Sequence, residues 1–248
     1  MEIHFRMRNT WWLLTAVWIA FGSLGGVSGQ GSNEVLALQR RVTDLFANYE
    51  RAMVRVKSVY VPNSPGEESQ SVIGSGFFIS REGHIVTNSI ITFGADRTWV
   101  EHDGIDYDAE VMGIDPISNI ALLKLRRLPE KLSFFHLVDS PDLPDLGTFV
   151  IRMSMPLELG PTPELGMISG HESRFGGRLF PCKFIRTTVR SNPGEVGSAF
   201  FDLNGRLIGI QVFSLPEIGS TYILPARAAL RIRDDFLFTG AVTYGWVG

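Results

Sequence analysis

NPGEVGSAFFDLNGRLIGI, residues 192–210, decides how the rest of the chain is read. Pro193-Gly194 followed by Gly197 marks a turn, because glycine supplies backbone conformations closed to other residues. "SAFFD" after it reads as a short strand. "LNG" at 203–205 is hairpin punctuation, and "RLIGIQVF" at 206–213 is the returning strand. Val196 stands within the turn. Its side chain has no proton to give and no lone pair to attack with.

The same period of two recurs upstream and downstream. "VIGSGFFIS", "GHIVTNSII", "TWVEH", "IDYDAEVMGID", "NIALLKL", "GTFVIRMS", "FIRTTVR" and "STYILP" are short β-rich runs. "REG" and "HDG" separate some of them. Such a density of short strands predicts an all-β barrel or sandwich. The polar, proline-rich "DSPDLPDLG" at 139–147 divides the strands into two similar halves, which read as two small barrels packed together. Residues 33–56 read as a helix with Val35, Leu38, Val42, Leu45 and Tyr49 on one seam, capped by Ser32 or Asn33. "ARAALRIRDDFLF" after Pro225 reads as a second helix, stopped by Gly240.

The chain has 248 residues, 44% apolar and 20% charged, with a net charge of −3. That is ample for a buried core and offers no basic excess, so no nucleic-acid partner is expected. Arg6 and Arg8 precede an apolar run from Trp11 to Val27, and Val27 and Gly29 are spaced like a cleavage site. This predicts a signal peptide over residues 1–29 and export to a periplasmic or extracellular space. The alternative is an uncleaved tether formed by residues 11–27. Cys182 is the single cysteine, so no intramolecular disulfide forms. It reads as a small buried hydrophobe. Asp103, Asp106 and Asp108 read as a solvated acidic turn; no metal-ligand spacing and no cofactor motif is present.

Three blocks in order, "GSGFFIS…GHIVTNSII", "DPISNIALLKL" and "NPGEVGSAFFDLNGRLIGI", resemble the protease domain of the HtrA/Deg-type trypsin-like serine proteases from about residue 50 to 240. The resemblance implies an all-β, trypsin-like double β-barrel: two six-stranded barrels with a cleft between them, plus an N-terminal and a C-terminal helix. The expected division is a signal peptide at 1–29 and a helix with an entry strand at 30–60. A trypsin-like domain follows at 61–240, with an N-barrel at about 61–140, a C-barrel at about 146–225 and a closing helix at 226–239. Residues 241–248 resemble a truncated linker at the start of a PDZ domain.

In the family the first block reads Thr-Asn-x-His-Val, so Ile90 falls on the general base. The second reads Asp-Pro-x-Ser-Asp-Ile-Ala-Leu, so Asn119 falls on the orienting carboxylate. The third reads Gly-Asn-Ser-Gly-Gly-Pro, so Val196 falls on the nucleophile. A serine hydroxyl attacks only when a base removes its proton, and the base needs a third group to hold its tautomer. The three act as a unit, so losing one costs nearly as much as losing all. What survives, roughly 10³–10⁴-fold over water, does not make a working protease. The replacements agree with one another. An aspartate without its histidine would be a buried uncompensated charge, and Asn119 removes it. Ile90 and Val196 are expected to make the old cleft apolar by burial.

Displaced chemistry would have to come from other residues. Ser89 and Ser198 flank the lost positions. His84, His102, His136 and His171 match no triad position and read as surface or satisfied histidines. The turn itself can survive in another use: the N–H groups of Gly194 and Val196 can hold a carbonyl or carboxylate without a nucleophile. Glu195 or Ser198 would tune selectivity. The expected function is an exported non-catalytic homologue, a pseudoprotease that binds peptide or protein or regulates assembly. The alternative is a serine endopeptidase with residual or displaced catalytic residues. Expected partners are an unfolded or extended peptide or an active protease relative. A homo-oligomer, a trimer by resemblance, would form through the 35–49 helix.

Overall fold

The computed structural model describes residues 30–62, 66–137, 139, 142–175 and 178–244. The expectations of a signal peptide at residues 1–29 and, over residues 245–248, of a PDZ-like linker lie outside the described residues. The chain divides into two units, Met1–Thr43 and Asp44–Gly248.

In the first unit, residues 30–43 are helical, and Val35 is 65% exposed. The helix α1 (Gln30–Tyr49) ends at the last residue of the seam, Tyr49, rather than at residue 56. A short 3₁₀ turn (Glu50–Ala52) follows, and Met53–Val56, read above as helix, belong to a strand. The β-branched residues of "MVRVKSVY" explain this: they pack better on a pleated surface than on a helix.

In the second unit, the first barrel is β1 (Met53–Tyr60), β2 (Gln70–Phe78), β3 (His84–Asn88), β4 (Arg97–His102), β5 (Ile105–Asp115) and β6 (Ile120–Leu125). They close in the order β1-β2-β3-β6-β5-β4. The entry strand β1 is therefore part of this barrel rather than a lead-in to it. The second barrel is β7 (Phe149–Ser154), β8 (Thr162–Phe175), β9 (Arg178–Thr187), β10 (Ala199–Phe201), β11 (Leu207–Leu215) and β12 (Ser220–Pro225). Its order is β10-β11-β12-β9-β8-β7. The sequence runs located most of these strands. The long β8 "TPELGMISGHESRF" went unrecognised, because its polar residues and two glycines dilute the alternation.

Each barrel has its own core. Val54, Val56, Phe78, Ile85, Val100 and Leu123 fill the first. Val150, Ile168, Ile185, Phe200, Ile208 and Ile223 fill the second. Each such side chain contributes roughly 1.5–3 kcal/mol by leaving water. An aromatic group adds to this packing: Tyr49 stacks on Phe135 at 4.4 Å between ring centres, and Phe135 meets Phe77 and Phe201.

The closing helix α2 (Ala226–Thr239) buries Ala226, Ala229, Ile232 and Phe236, a three-three-four spacing on one face. Gly240 ends it with φ 75° and its N–H on the Phe236 carbonyl. The Phe236 ring lies where a Cβ at Gly113 would stand, so the bulge in β5 needs glycine to seat the helix.

Candidate functional site

The segments that carry Ile90, Asn119 and Val196 are brought together. Between β3 and β4 the chain forms a single helical turn (Ser89–Thr92). Asn88 caps it, accepting the Ile90 N–H at 3.0 Å. The Asn88 amide also donates to the Val212 carbonyl at 2.7 Å, tying the end of β3 to β11 in the other barrel. The Ser89 N–H donates to the Asn119 carbonyl at 3.0 Å, which joins the helical turn to the β5–β6 turn. The Ser75 N–H donates to the Val196 carbonyl at 2.9 Å, and the Ser75 hydroxyl donates to the Gly194 carbonyl at 2.9 Å. These two bonds fasten the 192–198 turn of the second barrel to β2 of the first.

Asn119 takes φ 60°, a left-handed conformation that asparagine tolerates better than most residues. Asp115 supports the turn before it, accepting the N–H groups of Ile117 and Ser118 at 3.1 Å each, and also the Ser118 and Tyr244 hydroxyls. Burial, reinforced by that carboxylate, pushes the Tyr244 phenol well above its usual range.

Val196 is half-buried against the first-barrel core. Ile90 is not buried: it is 65% exposed. The expectation that both would pack away is therefore corrected for Ile90. The helical turn directs Ile91 inward, fully buried, and a side chain one residue earlier faces outward. An exposed isoleucine leaves an apolar point at this surface rather than a filled core.

Gly194 and Gly197 have φ 83° and 85°. Among the described residues no acceptor lies against the N–H of Gly194 or of Val196, whereas the Gly197 N–H is taken by the Gln211 carbonyl at 3.1 Å. Two free N–H groups two residues apart are the donors such a turn offers to a carbonyl or carboxylate oxygen.

Glu195 and Ser198 do not reach a ligand. Ser198 is fully buried, and its hydroxyl donates to the Glu195 carbonyl. Glu195 is 2% exposed and faces Arg152, itself 1% exposed. The two form a fork, with N–O distances of 2.9 Å on both arms. Glu195 also accepts the Asn192 N–H at 2.5 Å and the Ser154 hydroxyl at 3.3 Å. Arg152 donates further to the Arg190 carbonyl at 2.6 Å and to Glu164 at 2.5 Å. A buried ion pair thus sits beneath the turn, where the resembling family carries asparagine at position 195. Arg152 is not among the residues the motifs single out. The available signal was a cation inside the apolar strand "FVIRMS", which demands a buried carboxylate somewhere.

A second arginine holds the neighbouring loop. Arg55, 3% exposed, donates to the carbonyls of Leu157 and Leu159 and pairs with Glu101. Burial alone would raise the Glu101 carboxyl, but hydrogen bonds from Lys57 and Arg55 outweigh it and hold the carboxyl below its usual range. The loop sits close to Gly194: a Cβ there would strike the Leu157 backbone.

The histidines are placed away from these contacts. His84 shares a 2.8 Å hydrogen bond with Ser80, and burial lowers its pKa. His102 is buried, 3.0 Å from the Arg51 carbonyl and edge-on to Phe78. His136 packs on Phe134. His171 departs from expectation, because its Nε2 is buried without a partner. Cys182 is half-buried, and burial pushes its thiol up to about 11. Among the described residues no group of His, Cys, Asp and Glu is placed to hold a metal ion.

Residues 74–210, more than half of the chain, match the family described as a trypsin-like peptidase domain. A probable periplasmic serine endoprotease DegP-like from Brucella suis biovar 1 (strain 1330) is 32% identical over 189 residues, covering 74% of this chain and 36% of that protein. The protein of the same description from Halomonas elongata is 33% identical over 197 residues, covering 76% and 41%. The chain thus spans well under half the length of these curated relatives. Among solved structures, the HtrA-type protease AlgW with decapeptide superposes with a TM-score of 0.69 at 27% identity, covering 84% of this chain and 70% of that one. AlgW with tripeptide gives 0.71 at 28% identity, covering 83% and 66%. Among the described residues no helix is long and apolar enough to cross a membrane.

Proposed function

This chain belongs to the trypsin-like peptidase family, with HtrA/Deg-type proteases as its relatives, and from that premise we propose that it is an exported, non-catalytic binding module. The observation that carries the reading is the chemistry at three positions: Ile90, Asn119 and Val196 where the family motifs place base, orienting carboxylate and nucleophile. A hydrocarbon at 90 accepts no proton, and a hydrocarbon at 196 forms no acyl bond. The binding half of the site is better preserved. The 194–197 turn keeps its two positive-φ glycines and two uncommitted N–H groups. Ile90 gives the neighbouring surface an exposed apolar side chain.

The ligand we propose is an extended or unfolded polypeptide. It would present carbonyl oxygens to the turn and apolar side chains to Ile90. The solved structures of AlgW with a decapeptide and with a tripeptide support a peptide as the ligand class. The periplasmic naming of the curated relatives supports export. Val35 and Leu36, exposed on α1, support a subunit contact with a second copy or with an active relative. The second reading, a serine endopeptidase with residual or displaced residues, is favoured by the relatives' description as serine endoproteases.

The test is binding of carboxymethylated casein to the purified chain and to Ile90→Glu. The position is exposed, so the fold should stand within about 0.5 kcal/mol. Saturable binding that weakens about tenfold or more in the variant, roughly 1.4 kcal/mol, is the expected result. Equal affinity for both proteins would remove the cleft from the account.

A further inference from the structure

β12 pairs with β9 only over Thr221–Ile223. Past that ladder Leu224 and Pro225 on one strand, and Lys183 and Cys182 on the other, line a half-open cavity of about 690 Å³. Such a volume lies within the roughly 300–1,000 Å³ of small-molecule sites. The closing helix and the segment at Tyr244 complete its wall.

The lining has two characters. Its floor is aliphatic: Ile185, Ile208, Leu224 and Ile232 are buried there. Its rim is basic: among the described residues Lys183, Arg206, Arg227 and Arg231 stand against one acid, Asp142. Arg206 is already paired with Asp202, and Arg227 with Asp139. Among the described residues no carboxylate pairs with Lys183 or Arg231, and Arg231 reaches only the Thr243 carbonyl at 3.2 Å. Neutral hydrogen-bonding groups are few, and two of them are spoken for: the Ser118 and Tyr244 hydroxyls both donate to Asp115. A ligand rich in amides would therefore find few partners, whereas a hydrocarbon chain ending in an anion would meet both characters of the wall.

We propose that this cavity binds a single-chain amphiphile, its alkyl tail on the aliphatic floor and its carboxylate between Lys183 and Arg231. The site shares no lining residue with Ile90 or Val196, so it stands whether or not the cleft binds peptide. Cys182 supplies a reporter, since it is the only cysteine in the chain and lines the cavity.

The experiment is calorimetric titration of the full chain with dodecanoate, kept below micelle formation. Saturable binding is expected, about tenfold or more tighter than for dodecyltrimethylammonium, which has the same tail and the opposite head charge. Lys183→Glu with Arg231→Glu, both on the surface, should weaken dodecanoate about tenfold or more. Bound dodecanoate should also slow alkylation of Cys182 in the unmodified protein, a readout that needs no variant. The proposal is overturned by any of the following: equal affinity for both head charges, no saturable binding, unprotected Cys182, or tighter binding of an apolar tetrapeptide. Binding to phosphatidylglycerol vesicles without binding to monomeric dodecanoate would overturn it too, because a basic surface alone would explain that.

Discussion

Arg152→Met should lower the unfolding free energy by about 3–5 kcal/mol, because it leaves Glu195 buried with its counter-charge gone. For a chain of this size that is a fall in Tm on the order of 10 °C. The size follows from the asymmetry of buried ion pairs. The pair itself contributes little net stability, since both charges give up hydration, but one charge left alone has lost that hydration for nothing. The double variant Arg152→Met with Glu195→Gln should therefore recover most of the loss. Its neutral amide can turn its oxygen to the Asn192 N–H and its NH2 to the Ser154 hydroxyl, which accepts as readily as it donates. Denaturant midpoints for the two singles and the double measure the coupling. A single-variant loss under about 1 kcal/mol, or a double no more stable than Arg152→Met, would mean that the pair does not anchor the turn.

Gly197→Ala should be at least as damaging, for a different reason. With φ 85°, the residue sits where an L side chain is strained by about 1–2 kcal/mol. The added Cβ would also land on the Ser75 carbonyl oxygen and within 3.0 Å of the Asn88 nitrogen and the Thr87 hydroxyl. All three belong to the first barrel, so relief requires the barrels to move apart and break the Ser75–Val196 bond. Gly104→Ala is the control. Its φ is 74°, yet a Cβ there meets nothing within 4 Å, so it incurs the backbone strain alone. The expected result is a loss for Gly197→Ala at least about 2 kcal/mol larger than for Gly104→Ala, or failure to fold. Equal losses would mean that the close approach between the barrels costs nothing.

Much of this architecture was legible in the residues. Local period and turn chemistry carry strands, hairpins and the two-barrel division, because alternation and glycine placement are properties of a few neighbouring residues. The same holds for the Pro193–Gly197 turn and for the identities at 90, 119 and 196. What escaped depends on contacts far apart in sequence. Glu195 read as a group facing a ligand, since nothing near it shows the cation 43 positions upstream that buries it. Ile90 read as a buried plug, since a single helical turn gives too little pattern to tell its inward face from its outward one. The first helix was read on to residue 56, past the end of its apolar seam at Tyr49, because nothing local shows that the barrel takes Met53–Val56 as part of β1. The cavity at the parting of β9 and β12 has no local signature, because it is made by where a ladder stops.

The central claim is that no acyl-enzyme forms here, and reaction with a fluorophosphonate probe tests it most directly. The purified chain, beside a heat-denatured sample and an active serine protease, should show no labelling above the denatured control and no turnover of unfolded casein. Specific labelling of one serine in the folded protein, accompanied by casein cleavage that the probe abolishes, would contradict it.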